Sequence, residues 1–336
     1  MFAETYMNKF RTEVNPAPSS VRIGLSDRIL TLGSCFSDAI GSQFLSHKID
    51  SKVNPFGILY NPHSIHKVIS YSIFNHPPDK NSFVQRDDVF LHYDFHSAYS
   101  SMSLGDLKQQ LKSSIASAHS FLLKAKWLII TYGTAWVYEH TESTEVVANC
   151  HKMPANLFKK SLLTQKKILD SFETLYRDLK SFNPDIQVIL TVSPVRHMKE
   201  TLELNAVSKS VLRVACHTMT EQHEDVHYFP AYEILMDDLR DYRFYSSDMI
   251  HPSETAEAYI WQKFGEQYLD KNLLDFLAKW DEIKAALDHR PFQPTSAAHQ
   301  RFIRETIKKL AELKNLVNVE EEMSFLNKQL LTVTEI

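Results

Sequence analysis

Two short strings in this chain place reactive side chains where they could act as a nucleophile and its base. The first is T-L-G-S-C-F-S, Thr31 to Ser37. A β-rich run, Arg28 to Leu32, leads into it and breaks at Gly33, after which Ile40 and Phe44 recur at helical spacing. Cys35 is therefore expected in a strand-to-helix turn, beside the unpaired N–H groups and positive dipole end of a helix. That setting favours an anion, so the expectation is a lowered thiol pKa and a thiolate able to attack a carbonyl. The same N–H groups could hold a developing oxyanion. A small buried hydrophobe would suit the position equally well.

The second string is Asp248-Met249-Ile250-His251, followed by Pro252 and by Ser253 as a helix cap. A D-x-x-H spacing lets a carboxylate orient an imidazole and stabilise it once it takes a proton from a nucleophile. The string is also what a solvated helix-entry loop looks like. Arg196 and His197, after an apolar run ending at Ser193-Pro194, are candidates to anchor a substrate carboxylate or sugar hydroxyl, or to form a structural salt link.

These residues need a frame that brings positions 35 and 251 together. Apolar runs at Arg28–Leu32, Ser51–Val53, Trp127–Tyr132, Ile186–Val192 and Val226–Phe229 end at glycine or proline and read as strands. Ile168, Phe172, Leu175 and Leu179 line one helix face, and Ala256, Ile260 and Phe264 another. Strands separated by helices imply a parallel sheet covered on both sides, with ligands beyond its carboxyl ends. Gly33, Gly57 and Gly133, three of only seven glycines, follow such runs.

Residues 75–119, polar and rich in histidine, read as an insertion or lid within a catalytic domain spanning 20–272. A helical extension, 273–336, carries the stripe Ile303, Ile307, Leu310, Leu313 and Val317, fit to pack on its own body or on a partner.

The bulk numbers exclude several classes. A formal net charge of -4 offers no field to hold a phosphate backbone, so no nucleic-acid partner is expected. No apolar run approaches a membrane span, and Met1 to Ser20 lacks the features of a secretory signal, so the expected location is cytoplasmic. Three cysteines, Cys35, Cys150 and Cys216, form no disulfide framework. Without C-x-x-C spacing no metal is expected, and the chemistry needs no cofactor.

G-S-C-F-S, N-P-F-G-I-L-Y-N-P, Y-G-T-A-W, N-C-H-K-M-P, S-P-V-R-H and R-D-Y-R-F-Y-S-S-D-M-I-H-P, taken in order from Ile29 to Phe264, closely resemble the GSCFA-domain family. More broadly, their order resembles the blocks of the SGNH or GDSL hydrolases. The resemblance implies a three-layer α/β/α, flavodoxin-like sandwich of about five parallel strands. It also implies Cys35 at the nucleophile position, Ser34 in place of the usual acid, and His251 with Asp248 as the proton relay. The oxyanion hole would be built from the N–H groups of Cys35 and Gly57.

One block departs from the pattern, because Gly133-Thr134-Ala135 replaces G-x-N and its amide donor. Asn149 is the candidate substitute, with Ser34, Thr134, His151, Arg196 and His197 as substrate contacts.

The expected activity is hydrolysis of a small or carbohydrate acyl ester, with transfer to another acceptor using the same site. The rivals are a non-catalytic ligand-binding module on this fold and an interaction scaffold built on the C-terminal helices.

Overall fold

The structure, a computed structural model, describes residues 12–330. The first half of the Met1–Ser20 stretch and the last six residues of the extension lie outside them. The chain runs β1 (Ile29–Gly33), α1 (Cys35–Ser46), β2 (Ser51–Val53), α2 (Pro62–Phe74), β3 (Phe83–Arg86), β4 (Val89–His92), α3 (Leu104–Leu122) and β5 (Trp127–Tyr132). It continues through β6 (Trp136–His140), β7 (Val146–Val147), β8 (Phe158–Leu162), α4 (Gln165–Phe182), β9 (Gln187–Val192), α5 (Leu202–Gln222) and β10 (Val226–Phe229). Five helices follow: α6 (Ala231–Met236), α7 (Glu254–Tyr268), α8 (Lys271–Asp288), α9 (Ala297–Leu313) and α10 (Glu320–Asn327).

The five expected strands form one parallel sheet in the order β10-β9-β5-β1-β2. Counted alone they run 2-1-3-4-5, the flavodoxin-like order. Their apolar character on both faces explains the two helical layers, because successive strand residues point to opposite sides. Leu30, Leu128, Ile130 and Leu190 pack under α2 to α5. Ile29, Trp127, Ile129 and Ile189 pack against α1 and the helices from α6 onward. Thr164, Thr201 and Ser253 cap α4, α5 and α7 with side-chain oxygens, which sets where each helix begins.

Residues 75–119 divide in two. The β3–β4 hairpin stands outside the sheet. The second half is α3, whose Leu107, Leu111, Ile115 and Ala118 are core residues rather than part of an insertion. Its apolar positions are interleaved with so many polar ones that the stripe is faint in the sequence. A three-stranded antiparallel sheet, β7-β6-β8, follows β5 directly and is not legible in the sequence, since its short strands have mixed composition. The α9 stripe turns inward: Ile303, Leu310 and Leu313 are buried in the core that holds α1 and α7, with Ile307 and Val317 at its margin. No helix among the described residues is long and apolar enough to cross a membrane.

Gly33 is where β1 must stop and turn. Its φ is +139°, and a Cβ there would lie 2.1 Å from the carbonyl oxygen of Thr131 on β5. Both the left-handed backbone and the close approach exclude a side chain. Gly33→Ala is expected to cost about 3 kcal/mol or more, read as a lowered denaturation midpoint. An unchanged midpoint would show that β1 can move away from β5.

Candidate active site

The turn after β1 is stitched to its neighbours. Ser34 donates its N–H to Thr131 O at 3.1 Å, and Ser37 Oγ donates to Thr131 Oγ1 at 2.8 Å. Ser34 caps α1 without a side-chain bond, and its buried Oγ has no partner among the described residues. Cys35 is then the first helical residue, with its side chain half-buried. The N–H groups of Cys35 and Phe36 point at the sulfur and pull the thiol pKa down.

The expected thiolate nevertheless does not follow. Burial pushes the Cys35 thiol above its ordinary 9.0, and the Asp38 carboxylate in the same helical turn adds to the rise. These outweigh the two N–H groups and the Lys209 ammonium, because removing a charge from water outweighs a partial dipole. Asp38 is itself raised by burial and held by Asn54, whose Nδ2 donates to Oδ1 at 2.6 Å.

Asn54 organises the second loop. Its Oδ1 accepts the Gly33 N–H at 2.9 Å, and its backbone carbonyl accepts the Gly57 N–H at 2.8 Å. The Gly57 donor expected for an oxyanion is therefore engaged within its own turn. Gly57 has φ +74°, and a Cβ there would collide with His96. Leu59 N–H donates to Gly33 O, while Tyr60 O accepts from both Gly133 and Thr134. Asn149 is also committed: Nδ2 donates to Ser97 Oγ at 3.1 Å and Oδ1 accepts from the His151 N–H at 2.8 Å. The Gly57 N–H is thus engaged, and one of the two Asn149 amide N–H groups is taken.

The second string forms the pair its spacing suggests. Asp248 Oδ2 accepts from His251 Nδ1 at 2.6 Å, and Oδ1 accepts from the N–H groups of Ile250 and His251. These donors, the His251 backbone first, hold the Asp248 carboxyl down to about 2. The loop needs Met249 at φ +58° and is closed by Ser246, which donates its N–H to His251 O and its Oγ to Pro252 O.

Arg196 fastens this loop to the end of β9. Its N–H donates to Ile250 O, its Nη1 donates to Met249 O at 3.3 Å, and its guanidinium lies 4.1 Å from the Tyr245 ring centroid. It therefore anchors the loop. Among the described residues no hydrogen bond joins Cys35 Sγ to His251, whose ring is exposed to solvent.

Beside this rim lies a cleft of about 820 Å³. Thr134, Asn149, Cys150, His151 and His197 line it, walled by the β3–β4 hairpin and by Trp136, Tyr138 and Phe158 of the small sheet. Cys35 and His251 are not in its lining. Tyr60 connects the two regions, since it lines the cleft and its pKa is raised by burial and by Cys35.

His197 packs edge-on against Tyr60 and lies 3.5 Å from Glu200. Burial lowers its pKa, as it does for His151. Both His151 ring nitrogens are already used, by Ser97 and by His92 O. Thr134 Oγ1 is bonded to Ser208 in the interior. Among the described residues no three His, Cys, Asp or Glu side chains gather as metal ligands would.

Asp38, Asn54, Tyr60 and Lys209 do not stand out in the sequence. Asn54 belongs to the N-P-F-G string, but its bond to Gly33 spans 21 residues. Lys209 had a readable sign: a lysine three residues before Leu212 and seven before Cys216, on the apolar face of α5.

The layers, the strand order, the strand-to-helix turn at Cys35 and the Asp248–His251 loop define an α/β/α sandwich with polar groups collected at the carboxyl ends of the strands. The chain belongs to the GSCFA family, whose model matches residues 28–264, and the C-terminal domain of GSCFA domain proteins matches 280–332.

Among solved structures, it is similar to a protein described as a platelet activating factor from Streptococcus pneumonia, at 11% identity and TM-score 0.37, covering 75% of this chain and 84% of that one. It is similar also to family 3 carbohydrate esterases from Talaromyces cellulolyticus (11%, TM-score 0.32) and Clostridium thermocellum (10%, TM-score 0.31), each match covering 75% of this chain and 98% of the other. At these values no role is transferred. No curated protein matches the chain.

Two titrations check the electrostatics. Asp248 should titrate near pH 2 by carbon NMR, and His251→Ala should return it only part of the way to 3.8, because the backbone donors remain. The loop stability that Asp248 supplies is thus complete above its unfolded value of 3.8 and lost as pH falls toward 2. Asp38→Asn removes the charge that raises Cys35, so the midpoint for Cys35 alkylation should move down. A midpoint that stays or rises would assign the shift to burial alone.

Proposed function

We propose that the chain is an acyl-ester hydrolase with Cys35 as nucleophile. The observation that carries the reading is the half-buried sulfur at the N-terminus of α1, faced by the N–H groups of Cys35 and Phe36. In the proposed reaction His251 Nε2 takes the thiol proton, and the sulfur lone pair forms an S–C bond to the ester carbonyl carbon. The carbonyl electron pair moves to oxygen, facing the Cys35 and Phe36 N–H groups.

Collapse of this intermediate breaks the C–O bond, and His251 returns its proton to the leaving alkoxide. Water, deprotonated by His251, then releases the acid from the thioester and restores the thiol. Asp248 keeps the imidazole turned and stabilises it when charged. The bond between Nε2 and Sγ forms with substrate in place, since catalytic hydrogen bonds commonly tighten in the complex.

The substrate is a small or carbohydrate acyl ester, and the large cleft with its Trp136, Tyr138 and Phe158 rings supports a bulky portion on one side of the scissile bond. A second acceptor in that cleft would make the same intermediate an acyl donor.

A binding module without turnover is the competing reading. It is favoured by the raised thiol, by Ala135 in place of an amide donor, and by the lack of a formed Cys35–His251 bond among the described residues.

A panel of p-nitrophenyl and thioester acyl chains, tested with wild type, Cys35→Ser and His251→Ala, separates them. Hydrolysis by wild type, a trapped acyl group on the Cys35 peptide, and a loss of roughly 10²-fold or more in His251→Ala are expected. Wild-type hydrolysis undiminished in His251→Ala, or none with any acyl chain, would sink the proposal.

A further inference from the structure

Glu200, in the segment between β9 and α5, is a carboxylate almost without water, its side chain only 2% exposed. Lys160 of β8 pairs with its Oε1 and lies 4.8 Å from the Trp136 ring centroid, so the small sheet that walls the cleft also anchors this carboxylate. The other oxygen, Oε2, is buried and faces His197 Nδ1, itself buried, at 3.5 Å. Neither atom has a hydrogen-bond partner among the described residues. A buried carboxylate oxygen left unmatched is costly, and the imidazole is the donor placed to meet it.

His197 is held in turn. Its backbone N–H donates to Asn205 Oδ1 on α5 at 3.0 Å, and its ring packs edge-on against Tyr60 with centroids 5.4 Å apart. The ring lines the cleft, and with Nδ1 turned inward it is Nε2 that faces the cavity. Tyr60 also leads to the thiol: a Cβ on Gly133 would meet Tyr60 Cδ1 at 3.1 Å and Ser34 Cβ, on the residue before Cys35, at 3.3 Å. One aromatic ring thus lies between the imidazole and the strand-to-helix turn. Trp136, Tyr138 and Phe158 give the cleft flat apolar faces, and Ser97, Ser100 and Asn149 give it short polar groups. Such a lining suits a ligand that alternates C–H faces with hydroxyls, as a sugar does.

We propose that His197, oriented by Glu200, is the base that activates a sugar-type hydroxyl bound in this cleft, so that the chain passes its acyl group to a polyhydroxyl acceptor as well as to water. The inference rests on Cys35 carrying the acyl group. His197 Nε2 takes the hydroxyl proton while the hydroxyl oxygen forms a C–O bond to the thioester carbonyl carbon. The C–S bond then breaks, the sulfur keeps its electron pair, and the proton on His197 restores the thiol by way of water. Glu200 is a positioning residue: it keeps the Nδ1 proton inward and stabilises the charge the ring acquires. The exposed Asp248–His251 pair then serves the thiol and water, and the buried pair serves the acceptor.

The groups that face the imidazole are Glu200 and Lys199 from its own segment, Lys209 from α5 and Tyr60 from the loop after β2. Burial holds His197 below its ordinary 6.5 against the pull of Glu200, which keeps the ring neutral and able to accept a proton near neutral pH.

The test uses the full chain with p-nitrophenyl acetate as donor and methyl β-glucoside as acceptor probe, acetyl glucoside and acetate being counted by mass spectrometry. Wild type should form acetyl glucoside in amounts that saturate with acceptor, and in His197→Gln the ratio of acetyl glucoside to acetate should fall roughly tenfold or more. In Glu200→Gln the ratio should fall less, and the midpoint of its rise with pH should move down, because the carboxylate that raises His197 is gone. No acetyl glucoside from a wild type that forms acyl-Cys35, or an unchanged ratio in a folded His197→Gln, would overturn the proposal.

Absence of acyl-Cys35 would overturn the Cys35 reading and the transfer with it, a result distinct from failure of the pair. The pair is read separately, by nitrogen NMR of the wild-type ring, which needs neither a variant nor an ester. A proton on Nδ1 is expected, and a neutral ring with its proton on Nε2 would remove Glu200 from its role.

Discussion

Everything at the sheet's carboxyl rim follows from how closely the backbone of Gly33 approaches that of Thr131. The pairing of β1 with β5 continues to Gly33 opposite Thr131, and the Ser34 N–H extends it by one more bond to Thr131 O. No side chain fits between the two strands there. The chain can therefore enter α1 only in one direction, which puts Cys35 at a helix start instead of inside a strand. The loop from Asn54 to Tyr60 then closes over both strand ends, bonding to Gly33 on one side and to Gly133 and Thr134 on the other. A one-residue slip of β1 against β5 would break all of these bonds and turn the strand's apolar residues to the wrong layers.

The electrostatics of the rim are a competition between burial and local dipoles. A helix N-terminus offers about half a unit of positive charge, effective only within its first turn. Around Cys35 that benefit is smaller than the cost of taking the thiolate out of water beside Asp38. The Asp248 carboxyl shows the opposite balance: exposed to solvent and given three donors, it is held near 2. The two groups thus shift in opposite directions: burial raises the thiol, and donated hydrogen bonds lower the carboxyl.

The allocation of hydrogen bonds also redefines roles. Arg196, attractive as an anchor because it follows a strand end, is occupied by the Met249 carbonyl and the Tyr245 ring. Asn149 and Gly57, attractive as oxyanion donors, are engaged by Ser97 and by Asn54 O. Polar groups at a buried rim must be satisfied within the protein. A residue type suited to binding a ligand is therefore often already binding its neighbour.

The five core strands, the apolar faces of α4 and α7, the Ser253 cap and the Asp248–His251 pair were all legible from residue order, because period and spacing are local and each reads from fewer than twenty residues. Folding was needed to settle that α3 is core, that Lys209 lies under the strand ends, that the Cys35 thiol is raised, and that the Gly57 and Asn149 donors are engaged. Each of these depends on which distant groups remove water or supply a partner. Burial and hydrogen-bond assignment are properties of the packed chain, and no window along it contains them.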